Sequence, residues 1–367
     1  MKVNSQVFRA YDIRGIVNEE LSDELVKKLG KAIGTLLIRN NSDALNVCRD
    51  GRLSGPHISE LFIEGVLSTG CNVCNLDLGP TPLLYFSTFK TSIRNGVMIT
   101  GSHNPKNYNG FKIVVNQKPL SGKSITEIKN LIENEDFISG EGKEQKTPLL
   151  EDYQTEIKSK INLKKTLKIV LDCGNGAGGS VAPKLFKDLG IELIELNSEV
   201  DGNFPNHHPD PSNPENLKDL IIKVIENKAH LGIALDGDAD RLGVVDNKGN
   251  IIFPDQYMSL IADQILKDNS GRKIVFDVKC SSQLKESISK SKGVPIMTRT
   301  GHSYIKEEIL KQNAILGGEM SGHIFFNDDW YGFDDGIYSA LRLIEIIAQS
   351  EDCLLYTSDA ADEPMRV

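Results

Sequence analysis

No stretch of the 367-residue sequence approaches the roughly 20 consecutive apolar residues needed to cross a bilayer. Met1–Ala10 lacks the apolar core of a secretory leader. There is no block of basic charge and no stripe of aromatics among basic residues, and the net charge is −9. That balance argues against a nucleic-acid partner. Together these absences predict a cytoplasmic protein that engages neither membrane nor nucleic acid. Cysteine is sparse as well: six residues, at 48, 71, 74, 173, 280 and 353, mostly inside apolar runs. Reduced, packed thiols are expected rather than a disulfide framework. Cys71 and Cys74 form a CxxC, but in a strand-like run, where residues three apart point to opposite faces. A metal or redox role is not expected there. An acidic chain can still bind anions where cations and backbone N–H groups gather locally.

The length suggests two or three domains at about 150 residues each. A hydrophobic content of 39% allows each a sizeable core. The chain also repeats itself. Leu45–Cys48, Leu167–Leu171 and Lys273–Phe276 are short, largely apolar runs. Each leads into a polar turn (Arg49-Asp50-Gly51-Arg52, Asp172-Cys173-Gly174, Asp277-Val278-Lys279) and then a helical segment. Runs of this kind suit parallel strands covered on both faces. Further on, each unit has a second strand ending in a polar loop. Gly96–Thr100 precedes Gly-Ser-His-Asn-Pro (101–105), Leu231–Leu235 precedes Asp-Gly-Asp-Ala-Asp-Arg (236–241), and Ala314–Leu316 precedes Gly-Gly-Glu-Met-Ser-Gly-His (317–323). Ile58–Leu67 and Leu217–Ile225 carry helical periodicity. The expectation is an α/β fold of three related units with mixed or parallel sheets, over 1–148, 149–250 and 251–352. Ligands of such sheets sit beyond the carboxyl ends of strands, so the three loops predict one common cleft.

The loops differ in chemistry. Ser102 stands at the tip of a turn rich in Gly, Asn and Pro, with His103 beside it and Lys112 further on. A hydroxyl in such a loop can carry a phosphoryl group, although an ordinary polar turn has the same composition. Asp236, Asp238 and Asp240 alternate after a strand, and hard oxygen ligands at that spacing fit Mg²⁺ or Ca²⁺. An EF-hand is excluded, because its Gly and Glu positions hold Arg241 and Asn247. Haloacid-dehalogenase-like phosphatases use a similar aspartate pair, and a solvated acidic turn is the plain alternative. Glu319, Ser321 and His323 alternate acceptors and donors on a Gly-rich loop and suit sugar hydroxyls, though a structural loop fits equally. His302 follows Gly301 at a predicted helix start, where a structural role is the simpler reading. Arg14, Lys112, Arg241 and Lys279 gain meaning together, since moving a phosphoryl group needs cations around it.

A competing pattern is Gly174-Asn-Gly-Ala-Gly-Gly179 after a strand, with Glu195 about 20 residues on. That is the dinucleotide-binding fingerprint. The same glycines serve a tight strand-to-helix turn, and the unit's other strand ends in the aspartate triplet. Nicotinamide binding is therefore not expected.

The set as a whole resembles the α-D-phosphohexomutase family, most closely its bacterial phosphomannomutase/phosphoglucomutase branch. The resemblance runs over roughly residues 7 to 350. It rests on FRAYDIRG (8–15), TGSHNPKNYNGFK (100–112), DGNFPNHHPDPSNPENL (201–217), DGDADR (236–241), DVKCSS (277–282), RTGHSYIK (299–306), GGEMSGH (317–323) and GFDDGIYSA (332–340). It implies interconversion of hexose 1- and 6-phosphates of mannose or glucose through a phosphoserine and a 1,6-bisphosphate. A glucosamine-phosphate mutase is the alternative. Ser102 would be the phosphorylated serine, and Asp236, Asp238 and Asp240 would hold Mg²⁺ with a phosphoserine oxygen. Arg241 would stabilise the moving group. Arg14, Lys112 and His302 would serve acid/base chemistry and charge. Tyr11, Lys279, Glu319, Ser321 and His323 would contact the sugar phosphate. Hexose 1,6-bisphosphate is implied as activator, and a monomer or weak homo-oligomer is expected.

The family has a fourth, C-terminal domain whose loop grips the non-transferring phosphate, and no such loop follows here. From Cys353 the text reads C-L-L-Y-T-S-D-A-A-D-E-P-M-R-V and departs from the family. The expectation is a truncated chain with an anomalous tail over 353–367 and weak or no turnover, or an inactive fragment that binds phosphosugar or Mg²⁺.

Overall fold

The computed structural model describes residues 4–9, 12–120 and 122–349; Tyr11 and the tail 353–367 lie outside the described residues. The chain divides into two compact units. One holds the chain up to Tyr153 with Asn175–Val181 and Glu199–Pro209; the other holds Gln154–Gly174, Ala182–Ser198 and the chain from Asp210.

The first unit contains β1 (Ile13–Ile16), β2 (Ala44–Arg49), β3 (Asn72–Leu78), β4 (Gly96–Ile99), β5 (Tyr108–Val115), β6 (Lys118–Pro119) and β7 (Glu144–Lys146). They form one mixed sheet in the order β1-β5-β4-β2-β3-β7, with β6 on β5. The central strands are buried, which is why they read as unbroken apolar runs. Helix Asp23–Arg39 starts at Ser22, whose side chain accepts from the Leu25 N–H at 3.3 Å, and acidic Asp23 and Glu24 occupy its positive end. It crosses helix Gly55–Leu67 at two glycines. A Cβ on Gly30 would lie 2.2 Å from the Phe62 carbonyl oxygen, and one on Gly65 2.2 Å from that of Lys27. Only glycine permits this approach.

The second unit contains two sheets. β8 (Lys168–Asp172), β9 (Glu192–Leu196), β10 (Leu231–Leu235), β11 (Leu242–Asp246) and β12 (Ile251–Ile252) run in the order β12-β11-β10-β8-β9. β13 (Lys273–Asp277), β14 (Val294–Thr298), β15 (Leu316–Gly318) and β16 (Ile324–Phe326) run β14-β13-β15-β16.

All three sheets repeat one motif. A central strand (β2, β8, β13) lies parallel between two others. One of those neighbours (β4, β10, β15) turns back into an antiparallel strand (β5, β11, β16). Ser102 sits on the first of these three hairpins, the aspartate triplet on the second, and Glu319–His323 on the third. The expected three-unit α/β fold is the one observed. Among the described residues, no helix is long and apolar enough to cross a membrane.

One boundary differs from expectation. Gly317 and Gly318 belong to β15 rather than to a loop. A Cβ on Gly317 would meet Ile309 Cδ1 at 2.5 Å, and one on Gly318 would meet Met258 Sδ at 2.7 Å. These glycines let helices pack directly on the strand. In the dinucleotide-like segment, Gly174 and Asn175 turn at φ +53° and +55°. The chain then enters a 3₁₀ turn (Ala177–Ser180) before helix Ala182–Asp188, and Glu195 pairs with Lys187 at 2.5 Å.

Cys48, Cys71 and Cys173 are buried, and burial pushes each thiol up to about 12. A raised value leaves the reactive thiolate scarce at pH 8. In the native protein these three should resist iodoacetamide at pH 8 and react only after denaturation, read by peptide mass spectrometry. Prompt native labelling of any of them would contradict the packing described.

Candidate active site

In the first unit, β4 ends at Ile99 and the chain turns through Thr100, Gly101 and Ser102. Ser102 is buried and held at φ +48°, a left-handed conformation that is costly for a residue with a Cβ. Its Oγ lies 3.1 Å from His103 Nδ1. Its N–H donates to Thr100 Oγ1 at 2.7 Å, and that hydroxyl donates to Asp50 Oδ2 at 2.7 Å. Arg14 on β1 pairs in register with Gly110 on β5, two residues before Lys112. Residues opposite in an antiparallel pair and two apart on a strand share a face, so Arg14 and Lys112 present their side chains on one face of the sheet. Both are buried, and Arg14 bonds Asp12 at 2.6 Å.

In the second unit, the turn after β10 buries Asp236, Asp238 and Asp240 completely or nearly so. Ala239 at φ +58° closes the turn, and Asp236 Oδ1 accepts from the N–H groups of Asp240 and Arg241 at 3.1 and 3.2 Å. One carboxylate oxygen from each aspartate lies within 4.8 Å of the others. Three buried carboxylates this close repel unless a cation joins them. Oxygen-only ligands are the set a hard divalent ion takes, so the residues fit such an ion.

Arg241 follows directly. Its Nε donates to His323 Nε2 at 3.0 Å and lies 3.9 Å from Asp236 Oδ2, while its Nη1 lies 4.0 Å from Asp210 Oδ1. Burial disfavours its charge, but Asp236, Asp240, Asp210 and Asp238 more than offset this and its pKa is raised. Because an arginine Nε–H only donates, His323 Nε2 accepts, and the ring proton sits on Nδ1. Nδ1 faces Asp334 Oδ2 at 3.0 Å and Asp240 Oδ1 at 3.6 Å. Burial would raise Asp334, but Lys306 at 2.5 Å, then His323 and His302, hold it well below the usual carboxylate range. His302 is the first residue of helix His302–Gln312, and its ring stacks on that of His323 at 5.5 Å.

Glu319 is buried; its two oxygens accept from the Gly301 N–H and Ser321 Oγ, both at 2.7 Å. The third hairpin abuts the second through the Leu242 N–H, which donates to the Gly322 carbonyl at 3.0 Å. Gly336 donates to the Ala239 carbonyl at 3.1 Å. Of the residues expected from sequence, Arg241, His302, Glu319, Ser321, His323 and the aspartate triplet therefore lie in this unit's contiguous loops. Lys279 is exposed on the turn after β13. Lys306 and Asp334 were not foreseen, although both lie in segments that carried the resemblance.

The phosphoglucomutase/phosphomannomutase α/β/α domain models match in series: domain I over residues 5–139, domain II over 151–249 and domain III over 253–362. A phosphomannomutase/phosphoglucomutase of Pseudomonas syringae pv. tomato is 50% identical over 343 residues, which is 94% of this chain and 74% of that protein. A phosphoglucomutase of Neisseria gonorrhoeae is 45% identical over 352 residues, 95% of this chain and 76% of that one. The crystal structure of a phosphoglucomutase/phosphomannomutase family protein from Burkholderia thailandensis matches at TM-score 0.95 and 41% identity, over 98% of this chain and 80% of that one. The chain belongs to the phosphoglucomutase/phosphomannomutase family.

Proposed function

We propose that this chain interconverts the 1- and 6-phosphates of glucose and mannose, with Ser102 carrying the phosphoryl group in transit. The observation that carries the reading is the buried aspartate turn with Arg241 beside it, in a chain of this family. Asp236, Asp238 and Asp240 would hold Mg²⁺, which when bound supplies positive charge to phosphoryl oxygens. Phosphoserine gives its phosphoryl group to the free hydroxyl of a hexose 1-phosphate. The Oγ–P bond breaks, an O6–P bond forms and a 1,6-bisphosphate results. The bisphosphate turns over and returns its other phosphoryl group to Ser102, leaving the 6-phosphate. Trace bisphosphate would then act as activator by phosphorylating resting Ser102.

Serine is a weak nucleophile, so the return step needs a base at its hydroxyl. His103 Nδ1, 3.1 Å from Ser102 Oγ, is in reach of that proton. Arg14 and Lys112 supply cations on one sheet face. Arg241 stabilises charge on the moving group, and His302 is a further acid/base candidate. Glu319 and Ser321 read sugar hydroxyls, with His323, Lys279 and Tyr11 as further substrate contacts.

The test is a coupled assay on glucose 1-phosphate, mannose 1-phosphate and glucosamine 1-phosphate with Mg²⁺ and trace hexose 1,6-bisphosphate. Turnover of the first two above the enzyme-free blank, even if slow, is expected, and is lost in Ser102→Ala together with the phosphate adduct on the Ser102 peptide. Turnover retained in Ser102→Ala would overturn the serine assignment, and preference for the glucosamine substrate would overturn the sugar assignment.

A further inference from the structure

Behind the serine loop lies an arginine with no assigned role. The Arg52 side chain is fully buried. A guanidinium has five N–H donors, and here each meets an acceptor. Nε donates to Asp50 Oδ2 at 3.2 Å. One terminal nitrogen donates to the carbonyls of Pro105 and Tyr108 at 2.7 and 3.0 Å. The other donates to those of Ser102 and Asn104 at 2.8 and 2.7 Å. Four carbonyls of one short loop thus converge on a single cation, where they would repel one another without it.

Asp50 holds the other side of the loop. Its Oδ1 accepts from the Arg52 N–H at 3.0 Å, and its Oδ2 accepts from Thr100 Oγ1 at 2.7 Å and the Gly101 N–H at 3.2 Å. Thr100 Oγ1 in turn accepts from the Ser102 N–H at 2.7 Å. A Cβ on Gly101 would sit 2.3 Å from Arg52 Cζ, so the glycine is the space the guanidinium needs. Ser102 is bracketed: its N–H is fixed through Thr100 to Asp50 and its C=O is fixed to Arg52. Those two bonds flank the residue at φ +48°.

We infer that Arg52, Asp50 and Thr100 form a clamp that imposes the left-handed backbone of Ser102 and thereby aims its Oγ for in-line transfer. They are positioning residues and touch no substrate. The inference rests on the reading of Ser102 as the phosphoryl carrier. A lysine at 52 keeps the charge but not the fork that reaches four carbonyls.

Thr100→Val is nearly isosteric and removes the hydroxyl that links Asp50 to Ser102. It should lower kcat roughly 10- to 100-fold with little change in KM, as misplacement of a reacting group does. Thr100→Ser should restore kcat to within about threefold, because the hydroxyl returns. Arg52→Lys should slow phosphorylation of Ser102 by hexose 1,6-bisphosphate, followed by intact mass, at least as strongly as Thr100→Val. A purely structural role would lower the melting temperature while leaving kcat per folded molecule unchanged. Folded Thr100→Val with wild-type kcat would overturn the clamp even if Arg52→Lys failed to fold. Ser102→Ala separates the two ideas. Activity in that variant would remove the carrier reading and the clamp with it, whereas an inactive Ser102→Ala beside a fully active Thr100→Val would remove the clamp alone.

Discussion

Replacing Arg241 with methionine is expected to lower kcat by roughly 10³- to 10⁵-fold, the loss typical when an arginine that stabilises a transferring phosphoryl group is removed. The side chain is mostly buried, and its Nε is committed to His323 at 3.0 Å. That bond fixes the plane of the fork. The carboxylates of Asp236, Asp240, Asp210 and Asp238 keep it charged against the pull of burial. Methionine keeps the stem and deletes both charge and fork. Lysine keeps the charge alone, so Arg241→Lys should fall between the two. A second readout separates the arginine's effect on the moving group from its effect on the aspartates. Deleting a cation beside three carboxylates should tighten Mg²⁺ binding, measured by calorimetry without substrate. Turnover of Arg241→Met within about tenfold of wild type would remove Arg241 from the chemistry.

The three-unit fold was legible because its central strands are buried on both faces, and such strands write unbroken apolar runs. The chemistry loops were legible for a related reason. A hairpin that follows a buried strand and carries Ser102 or three aspartates contrasts sharply with its surroundings. β15 was misread at one end because Gly317 and Gly318 have no strand signature; their reason is helix packing across the sheet. The supporting residues were harder to see. Arg52 and Asp50 looked like an ordinary polar turn after β2, and nothing local says that the guanidinium reaches carbonyls some 50 positions on. Lys306 and Asp334 lie 28 positions apart and meet only when helix His302–Gln312 and the segment before the last helix pack together. Site chemistry is local in sequence, while the bonds that orient it are not.

Lys306→Met should destabilise the protein by about 3–5 kcal/mol, the range for breaking a buried ion pair from one side. Asp334 is wholly buried and Lys306 nearly so, and they meet at 2.5 Å. Methionine fills the stem's volume but leaves a carboxylate whose remaining partners are His323 at 3.0 Å and His302 at 4.0 Å. Asp334→Asn makes the opposite error and removes the carboxylate that Lys306 pairs with. The double variant Lys306→Met/Asp334→Asn removes both charges and should recover much of the loss, since a neutral pair carries no uncompensated ion. Urea unfolding of the three variants at neutral pH measures the cycle. The pair also bears on turnover, because Asp334 Oδ2 lies 3.0 Å from Nδ1 of the His323 ring, whose Nε2 accepts from Arg241. Lys306→Met should therefore lower kcat even where the protein is fully folded, and the double variant should regain stability more completely than kcat. A loss below about 1 kcal/mol in Lys306→Met, no larger than an ordinary surface pair, would mean that Asp334 is already satisfied by the histidines and that the lysine plays no part in orienting Arg241.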